Sequence, residues 1–292
     1  MLFRSSSGVV LTIYTLILLA ALIWAFVFAF VDFENDIMSN INNPNRSYLV
    51  WPQKWNFSNI VDVYNSIYCE IPYGTSKRVI LLPEMFVNSI LYSLGVSFMS
   101  TLAPCIMSYV TAKFRFKFNT VVDSIVLITI SLPIVGALPS QIRIVYGLNL
   151  DNSIIGLWIM AFGFASMYYF VFKAAFIAIP NSLSESASLD GAGNFRIFIK
   201  IMLPLVKITF ASVMLICFVS AWNNYTTPLA FSPHKPTVAY GLFRLIQGWG
   251  TRINEPTLKM MGAMMLMIPI LIVYALLNKK LMGNLTVGGV KG

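Results

Sequence analysis

The sequence predicts an all-α, polytopic membrane protein with six transmembrane helices. Of its 292 residues, 58% are hydrophobic and 11% are charged, and the mean hydropathy is +0.76. A soluble domain averages about 25% charged residues, so this chain lacks the charge needed to cover a water-facing surface. Several uncharged runs also have nearly the length of a helix that crosses a bilayer core, which is about 20 residues. Lipid is therefore the expected surroundings of most of the chain.

The first uncharged run, residues 8–31, follows the single basic residue Arg4. It is longer than the core of a signal peptide and has no clear small-residue cleavage site, so we expect a retained first transmembrane helix within residues 1–32. The polar, asparagine-rich residues 33–84 are the expected extracytoplasmic loop. Aromatic residues there could grip a partner or a sugar. An interfacial belt or a small packed cap also explains them, and we favour these two structural explanations over binding.

Five further apolar segments form the predicted membrane-spanning core, residues 85–279. They cover residues 85–109, 121–142, 153–175, 205–231 and 260–278. The third span contains Pro133 and Pro139, each of which removes a backbone donor, so we expect a kinked or broken helix there. Lys173 and Lys207 lie close to span ends, where long basic side chains can reach the membrane surface.

Charge predicts that both termini are cytoplasmic. With that orientation the short cytoplasmic segments are basic, as the positive-inside rule requires. The compact cluster of Lys113, Arg115 and Lys117 after the second span is the clearest case. Residues 280–292 form the expected cytoplasmic tail. The net charge of +9 thus has a topological explanation, and no nucleic acid partner is needed.

The sequence contains few residues that could support catalysis or bind a metal. Its three cysteines, Cys69, Cys105 and Cys217, do not have the spacing of a zinc site. The single histidine, His234, lies in a predicted loop. No glycine is followed by lysine, so the phosphate-binding GxxxxGK(S/T) loop is absent from this sequence. We expect no catalytic residue, metal site or cofactor in this chain.

The most informative segment is the predicted cytoplasmic loop between spans 4 and 5, residues 179–204, which reads IPNSLSESASLDGAGNFRIFIKIMLP. Ser182 followed three residues later by Glu185 fits a capping box at a helix start. Gly191 permits that helix to stop and turn. Asn194 could then cap a second short helix, so a rigid elbow of two helices is predicted.

The predicted elbow is suited to docking with another protein. Ala187 and Ala192 are small enough for close approach, and Glu185 and Asp190 offer acceptors to a partner's arginine or backbone donors. Alternatively, the two acidic residues only cap the first helix. Pro204 is expected in the first turn of the next span, where its missing donor costs little.

The elbow resembles a motif of the permease subunits of binding-protein-dependent ABC importers. That motif is E-A-A, two residues, D-G-A and a hydrophobic pattern ending in L-P. The corresponding residues are Glu185, Ser186, Ala187, Asp190, Gly191, Ala192, Phe198, Ile201, Leu203 and Pro204. The sequence departs from the family at Ser186, where alanine is usual, and at Ile208, where a second proline is frequent.

Other segments narrow the resemblance to the maltose-type, carbohydrate-uptake group, and the likeness extends from about residue 85 to the end. The segments are Asn88 and Ser89 in FVNSI, the basic AKFRF at 112–116, Trp222 and Asn223 with Pro228, and the glycine-rich tail 283–292. An acidic residue often follows the W-N pair in that group, whereas Asn224 stands here.

The resemblance implies partners and a role. Two permease subunits, this chain and a second, different one, would form a pathway in the bacterial plasma (inner) membrane. Two cytoplasmic ATPase subunits would use ATP and Mg, and an extracellular or periplasmic binding protein would deliver a carbohydrate, with an oligosaccharide favoured. The residues that would couple transport to the ATPase are Ser182, Glu185, Ala187, Asp190, Gly191, Ala192 and Pro204.

Substrate contacts are predicted from chemistry and from the resemblance. Sugars need aromatic faces and neutral amides, which the fifth span offers at Trp222, Asn223, Asn224 and Tyr225, although packing between helices explains the same cluster. The resemblance also places a loop that probes the binding protein within residues 232–258. Its candidate contacts are Gly248, Trp249 and Gly250, and a plain interfacial tryptophan is the alternative.

Two other functions fit a membrane protein with these spans. An ion-coupled secondary transporter is suggested by the helix-breaking prolines, but that class needs buried ionisable groups. Here Asp123, Lys173 and Lys207 lie near predicted span ends. A membrane scaffold whose elbow recruits a cytoplasmic partner other than an ATPase is the third hypothesis.

Overall fold

The computed structural model describes residues 2–38, 50–132, 136–248 and 255–282, and most of them are helical. The chain divides into two compact units. The first comprises Met1–Met85 and Val238–Pro269, and the second comprises Phe86–Thr237 and Ile270–Gly292.

The first unit begins with one long apolar helix, α1 (Leu2–Ala29). Its stretch Gly8–Ala29 is long and apolar enough to cross a membrane, and its apolar side chains are mostly exposed, as expected where lipid is the solvent. A π-helical turn follows at Phe33–Ile37. The carboxylate of Asp32 caps this turn by accepting hydrogen bonds from the backbone N–H groups of Glu34 and Asn35.

The predicted outer loop is folded where the structure describes it. It contains helix α2 (Ser58–Ser66) and an antiparallel hairpin of strands β1 (Tyr68–Tyr73) and β2 (Ser76–Leu81). Tyr68 pairs with Leu81, and the turn passes through Gly74, whose φ of 61° suits a residue without a Cβ. The hairpin is a small β addition to a mainly helical chain.

Asn59 anchors α2 on the end of α1. Its side-chain amide donates to the carbonyls of Ala29 and Val31, at 2.9 and 3.0 Å. The last carbonyls of a helix have no partner within that helix, so this buried amide supplies the missing donor.

Aromatic rings pack beside the same helix end. The ring of Phe30 lies 5.5 Å from that of Trp55 and 5.3 Å from that of Phe57. The packed-cap interpretation therefore fits Trp55, whereas Trp51 is 70% exposed.

The first unit also contains α13 (Val238–Ile246) and the beginning of α14 (Pro256–Met282). Gly241 lets α13 pack tightly within this unit. A Cβ at this position would lie 2.7 Å from the Sδ of Met85 and 2.9 Å from the Cγ2 of Ile67. Both separations are shorter than van der Waals contact, so a larger residue would displace these buried side chains.

The second unit contains most of α3 (Leu82–Lys113), a 32-residue helix with a buried stripe of hydroxyl side chains. The members of this stripe are Ser89, Ser93, Ser97, Thr101 and Ser108. Small side chains allow membrane helices to approach closely. The Oγ of Ser108 lies 2.7 Å from the carbonyl oxygen of Tyr169, which joins α3 to the neighbouring helix.

Three of the predicted spans are each divided into two helices. The pairs are α4 (Asn119–Ser131) and α5 (Ala137–Gly147), α6 (Ile154–Met160) and α7 (Met167–Ile177), and α11 (Lys207–Asn223) and α12 (Thr226–Phe231). The first division was predicted from prolines. Pro133 lies outside the described residues, and Pro139 is in the first turn of α5, where a missing N–H is tolerated.

The predicted fourth span, residues 153–175, is not a single helix in the structure. The chain leaves helical geometry between α6 and α7, in residues 161–166, which read AFGFAS. Gly163 lowers helix propensity there. The apolar run hides this break because hydropathy does not report backbone geometry.

Within the described residues, three helices are long and apolar enough to cross a membrane: Gly8–Ala29, Leu82–Lys113 and Pro256–Ala275. The pair Asn194–Leu205 and Lys207–Asn223, bent by 78°, qualifies as a fourth if it is counted as one span. Six spans and cytoplasmic termini remain predictions from the sequence.

Candidate functional site

The segment that carries the sequence motif folds as two short helical segments, and we call residues 182–205 the elbow. The first segment is α8 (Ser182–Leu189). The second is formed without a gap by α9 (Asn194–Ile197), a π turn (Phe198–Met202) and α10 (Leu203–Leu205). After Leu205 the chain bends into α11. Pro204 therefore lies in the last turn of the elbow. Its predicted place in the first turn of the next span is wrong because the bend comes after it.

Gly191 forms the corner of the elbow. Its φ is 81°, and its N–H donates to the carbonyl of Ser188 at 3.0 Å. The N–H of Ala192 reaches back to the carbonyl of Ala187 at 2.9 Å. These two bonds make a Schellman motif, in which the left-handed residue is usually glycine. The predicted helix stop at Gly191 is confirmed.

The predicted helix caps are each displaced by one residue. Asn181 is the N-cap of α8, and the N–H of Glu185 donates to the Asn181 carbonyl at 3.0 Å. The predicted capping box of Ser182 and Glu185 is therefore wrong. Gly193, with extended backbone angles, precedes α9, so Asn194 is its first residue rather than its cap.

Lys113 holds the start of the elbow in place. Its Nζ, at the end of α3, donates to the carbonyl of Ile179 at 2.5 Å and to the Oδ1 of Asn181 at 3.0 Å. A cation at this point complements the negative end of the α7 dipole. The lysine thus ties α3 to the junction between α7 and α8. Its position in a basic cluster did not predict this role.

The inner face of the elbow is apolar and packs on this chain's own core. Its buried members are Ile197, Phe198 and Met202. The ring of Tyr109 in α3 lies 4.9 Å from that of Phe198 and 5.5 Å from that of Phe176 in α7. Ala187 and Ala192 are partly buried against the same cluster. Their small size serves packing within this chain.

The elbow exposes several large apolar side chains, of which two are exposed far more than the others. Leu189 is 90% exposed and Phe195 is 77% exposed, one on each side of the Gly191 corner. Glu185 and Asp190 are also exposed. The sequence analysis missed Leu189 and Phe195, although a leucine directly before the polar DGAGN segment was a usable signal.

A cavity of about 470 Å³ opens beside α8. Glu185 and Leu189 line it from the elbow, and Lys113 and Phe114 line it from the end of α3. Its lining combines both signs of charge with apolar surface, which suits insertion of a partner's side chain.

A second, larger recess of about 660 Å³ lies at the junction of α11 and α12, also in the second unit. Asn223, Asn224 and Tyr225 line it, as does Gln141 of α5, which the sequence analysis missed. The remaining lining residues are Leu138, Val219, Ser220, Thr226, Thr227 and Phe231. None of these side chains carries a charge.

Trp222 does not line this recess. It is 2% exposed and packs 5.9 Å from the ring of Phe218 and 6.2 Å from that of Phe86. This burial fits the alternative named for the cluster, packing between helices, and Trp222 remains a substrate contact only as a prediction from the sequence.

Asn224 makes the break that opens the recess. Its backbone is extended, and its Oδ1 accepts from the N–H of Thr227 at 3.0 Å at the start of α12. An asparagine side chain that bonds to nearby backbone favours the end of one helix and the start of another. This local chemistry explains why the predicted fifth span is divided.

Lys173 does not extend toward the membrane surface as predicted. Its Nζ lies 2.5 and 2.6 Å from the two carboxylate oxygens of Asp123 in α4. The side chains of Lys173 and Asp123 are only 17% and 34% exposed, so the ion pair is largely enclosed by the unit.

The predicted binding-protein contacts lie at the edge of the described chain. Gly248 follows α13 with a φ of 72°, and Trp249 and Gly250 lie outside the described residues.

Comparison with protein families gives one match that covers more than half of the chain. Residues 84–282 match the family described as the binding-protein-dependent transport system inner membrane component. The matched region includes the elbow and the recess.

Two curated relatives and one solved structure are similar over most of the chain. The arabinooligosaccharides transport permease AraQ of Bacillus subtilis strain 168 is 29% identical over 72% of this chain and 74% of its own length. The sn-glycerol-3-phosphate transport permease UgpE of Yersinia pestis is 26% identical over 93% of this chain and 92% of its own. A bacterial ABC transporter that imports the acidic polysaccharide alginate has the same fold, with a TM-score of 0.72, 21% identity and coverage of 95% and 96%.

Proposed function

Since the chain belongs to the family of binding-protein-dependent transport system inner membrane components, we propose that it is the permease subunit of an ATP-driven importer of carbohydrates. It spans the bacterial inner membrane and forms the pathway together with a second, different permease subunit. The chain is a transport subunit rather than an enzyme, and ATP with Mg is used by two separate cytoplasmic subunits.

The elbow carries this proposal. It exposes Leu189 and Phe195, which are costly to leave in water unless a partner covers them. The acidic Glu185 and Asp190 are exposed with them, and the buried inner face fixes the elbow to α3 and α7. An ATPase subunit that grips this surface would move α7 and α11, because the elbow joins their ends.

The site residues predicted from the sequence divide between two roles in this proposal. Gly191, Ala187, Ala192 and Pro204 shape and anchor the elbow, whereas Ser182, Glu185 and Asp190 are open to the partner. Leu189 and Phe195 are added to the second group.

The recess is the proposed carbohydrate site within this chain. Amides at Gln141, Asn223 and Asn224 and the aromatic ring of Tyr225 match the hydroxyls and apolar faces of sugars. The absence of charge among the lining side chains favours a neutral sugar. Because AraQ is named for arabinooligosaccharides, an oligosaccharide is the proposed substrate, and an extracellular binding protein that touches residues 248–250 would deliver it.

Uptake in cells tests this proposal. Cells that lack the gene should lose ATP-dependent uptake of a labelled neutral trisaccharide such as arabinotriose or maltotriose, and the gene should restore it. Gln141→Leu keeps the side-chain size but removes the amide, so uptake should fall about tenfold, the loss expected for one polar contact. Uptake that survives ATP depletion and collapses with an ion gradient would contradict the proposal and favour an ion-coupled transporter.

A further inference from the structure

Four polar side chains from three helices meet inside the second unit. Asp123 is in α4, Tyr169 and Lys173 are in α7, and Thr111 is in α3. The hydroxyl of Tyr169 lies 2.7 Å from both the Oδ1 of Asp123 and the Oγ1 of Thr111. Because an ionised carboxylate can only accept, the phenol donates to Asp123. Lys173 completes the cluster with its two contacts to the same carboxylate.

The cluster is enclosed by the protein. Tyr169 is fully buried, and Lys173 and Asp123 are both partly buried. An ion pair at such a site contributes less to stability than apolar residues of similar size often would. The pair instead makes the packing specific. Because both carboxylate oxygens contact the Nζ of Lys173, the contact fixes which face of α4 packs on α7 and how the two helices are aligned along their axes.

Helix α4 has little other means of holding to α7. Val126 is its buried residue, while Val121, Ile125, Leu127 and Ile128 are each about half exposed. The contacts of Asp123 with Lys173 and Tyr169 are the polar ties of α4 to α7. The side-chain amide of Asn119 ties the start of α4 to the carbonyls of Thr111 and Phe114 at the end of α3.

The position of this tie links the two candidate sites. Helix α7 ends at Ile177, a few residues before the elbow begins, and the Asn181 side chain at that junction is held by Lys113. In sequence, α4 is followed by α5, whose Gln141 lines the recess. Along the chain, the two helices that hold the cluster therefore neighbour the recess-lining α5 and the elbow.

We propose that the Asp123–Lys173 pair, positioned by Tyr169, is a joint that makes α4 move with α7, so that displacement of the elbow reaches the recess. This proposal rests on the proposed function, because it assigns a structural route to the coupling between the ATPase subunits and the substrate site. Asp123 and Lys173 are positioning residues that touch neither substrate nor nucleotide.

Single substitutions give the first test. Lys173→Met and Asp123→Asn each break the joint, and the purified complex should keep its ATPase subunits but transport about tenfold less substrate per ATP hydrolysed, the size of loss that disrupted coupling produces. Lys117→Met is the matched control, since Lys117 is exposed in the loop before α4. Wild-type transport per ATP in both joint variants would overturn the proposal.

A covalent tie gives the second test, in case either single variant fails to accumulate. In the variant Asp123→Cys with Lys173→Cys, a short thiol-to-thiol cross-linker should restore the transport per ATP lost by the unlinked protein, because a joint tolerates a fixed connection. Transport that is blocked by the cross-link, while the identically treated wild type still transports, would show that α4 and α7 slide and would contradict the joint.

The controls separate the two proposals. If the wild-type complex contains no ATPase, the proposed function fails. If the wild-type complex transports and the joint variants match it, only the joint fails.

Discussion

Gly191 is the residue on which the shape of the elbow depends most directly. A Cβ at this position would meet nothing within 4 Å, so the constraint is its φ of 81° rather than space. A β-branched residue in this left-handed conformation costs about 1–2 kcal/mol or more, whereas asparagine adopts it more readily. We predict that Gly191→Val lowers uptake severely while Gly191→Asn largely preserves it.

Uptake assays on the two variants, normalised to the amount of protein in the membrane, check this prediction. Equal uptake in both would mean that the corner geometry does not matter for coupling.

Glu255 gives a pH prediction for the first unit. Burial raises the pKa of its carboxyl, and the nearby acidic groups Glu34, Asp62 and Asp32 raise it further. A carboxyl whose pKa is raised on folding stabilises the folded state when protonated, and that contribution is lost as the pH rises through the folded pKa. Acidification from pH 7 to 5 should therefore recover stability through this residue.

We predict that Glu255→Gln raises the Tm at pH 7 and reduces the change in Tm between pH 7 and 5. The effect should be less than about 1 kcal/mol because the site is only partly shielded from water. Hydrogen bonds from Asn35 lower the pKa of Asp32, so Asp32 titrates below this window and does not obscure the result. A variant whose Tm has the same pH dependence as the wild type would contradict the prediction.

At the scale of secondary-structure elements, the elbow presents a surface that can be tested apart from its shape. We predict that Leu189→Asp combined with Phe195→Asp releases the ATPase subunits, because burying two new charges in an apolar contact should weaken binding at least about tenfold. Both side chains are largely exposed, so replacing them removes little packing and the fold should be preserved. Co-purification with the tagged chain measures the loss.

Phe118→Asp is the matched control for this variant. Phe118 is 67% exposed between α3 and α4 and lies outside the elbow. Release of the ATPase by the control to the same extent would mean that the effect is not specific to the elbow.

The elements also show which parts of the fold the sequence could predict. The helix stop at Gly191 was predictable because it depends on one residue's φ and on bonds within six residues. The division of the fourth and fifth spans was missed although Gly163 and the bond from the Thr227 N–H to Asn224 are also local, because both lie within segments that hydropathy marks as spans. An apolar run reports the solvent around a segment and not whether its helix is continuous.

At the scale of the whole molecule, the missed site residues depend on contacts between distant positions. Lys113 and Ile179 are 66 positions apart in sequence, and Asp123 and Lys173 are 50 apart. No local pattern pairs them. Family membership followed from the elbow motif, because such a motif is short and contiguous, whereas the recess needed the fold to bring Gln141 beside Asn223.

Photo-cross-linking from the elbow is the most direct test of coupling to an ATPase. A photoreactive phenylalanine analogue would replace Phe195 in the tagged, functional complex, with the same analogue at Phe118 as the control. We predict that irradiation links position 195 to a polypeptide that contains the phosphate-binding loop absent from this chain, identified by mass spectrometry, and that position 118 does not form this link. If position 195 links only to lipid or to nothing while the complex still transports, the elbow is not the point of contact and the central claim is contradicted.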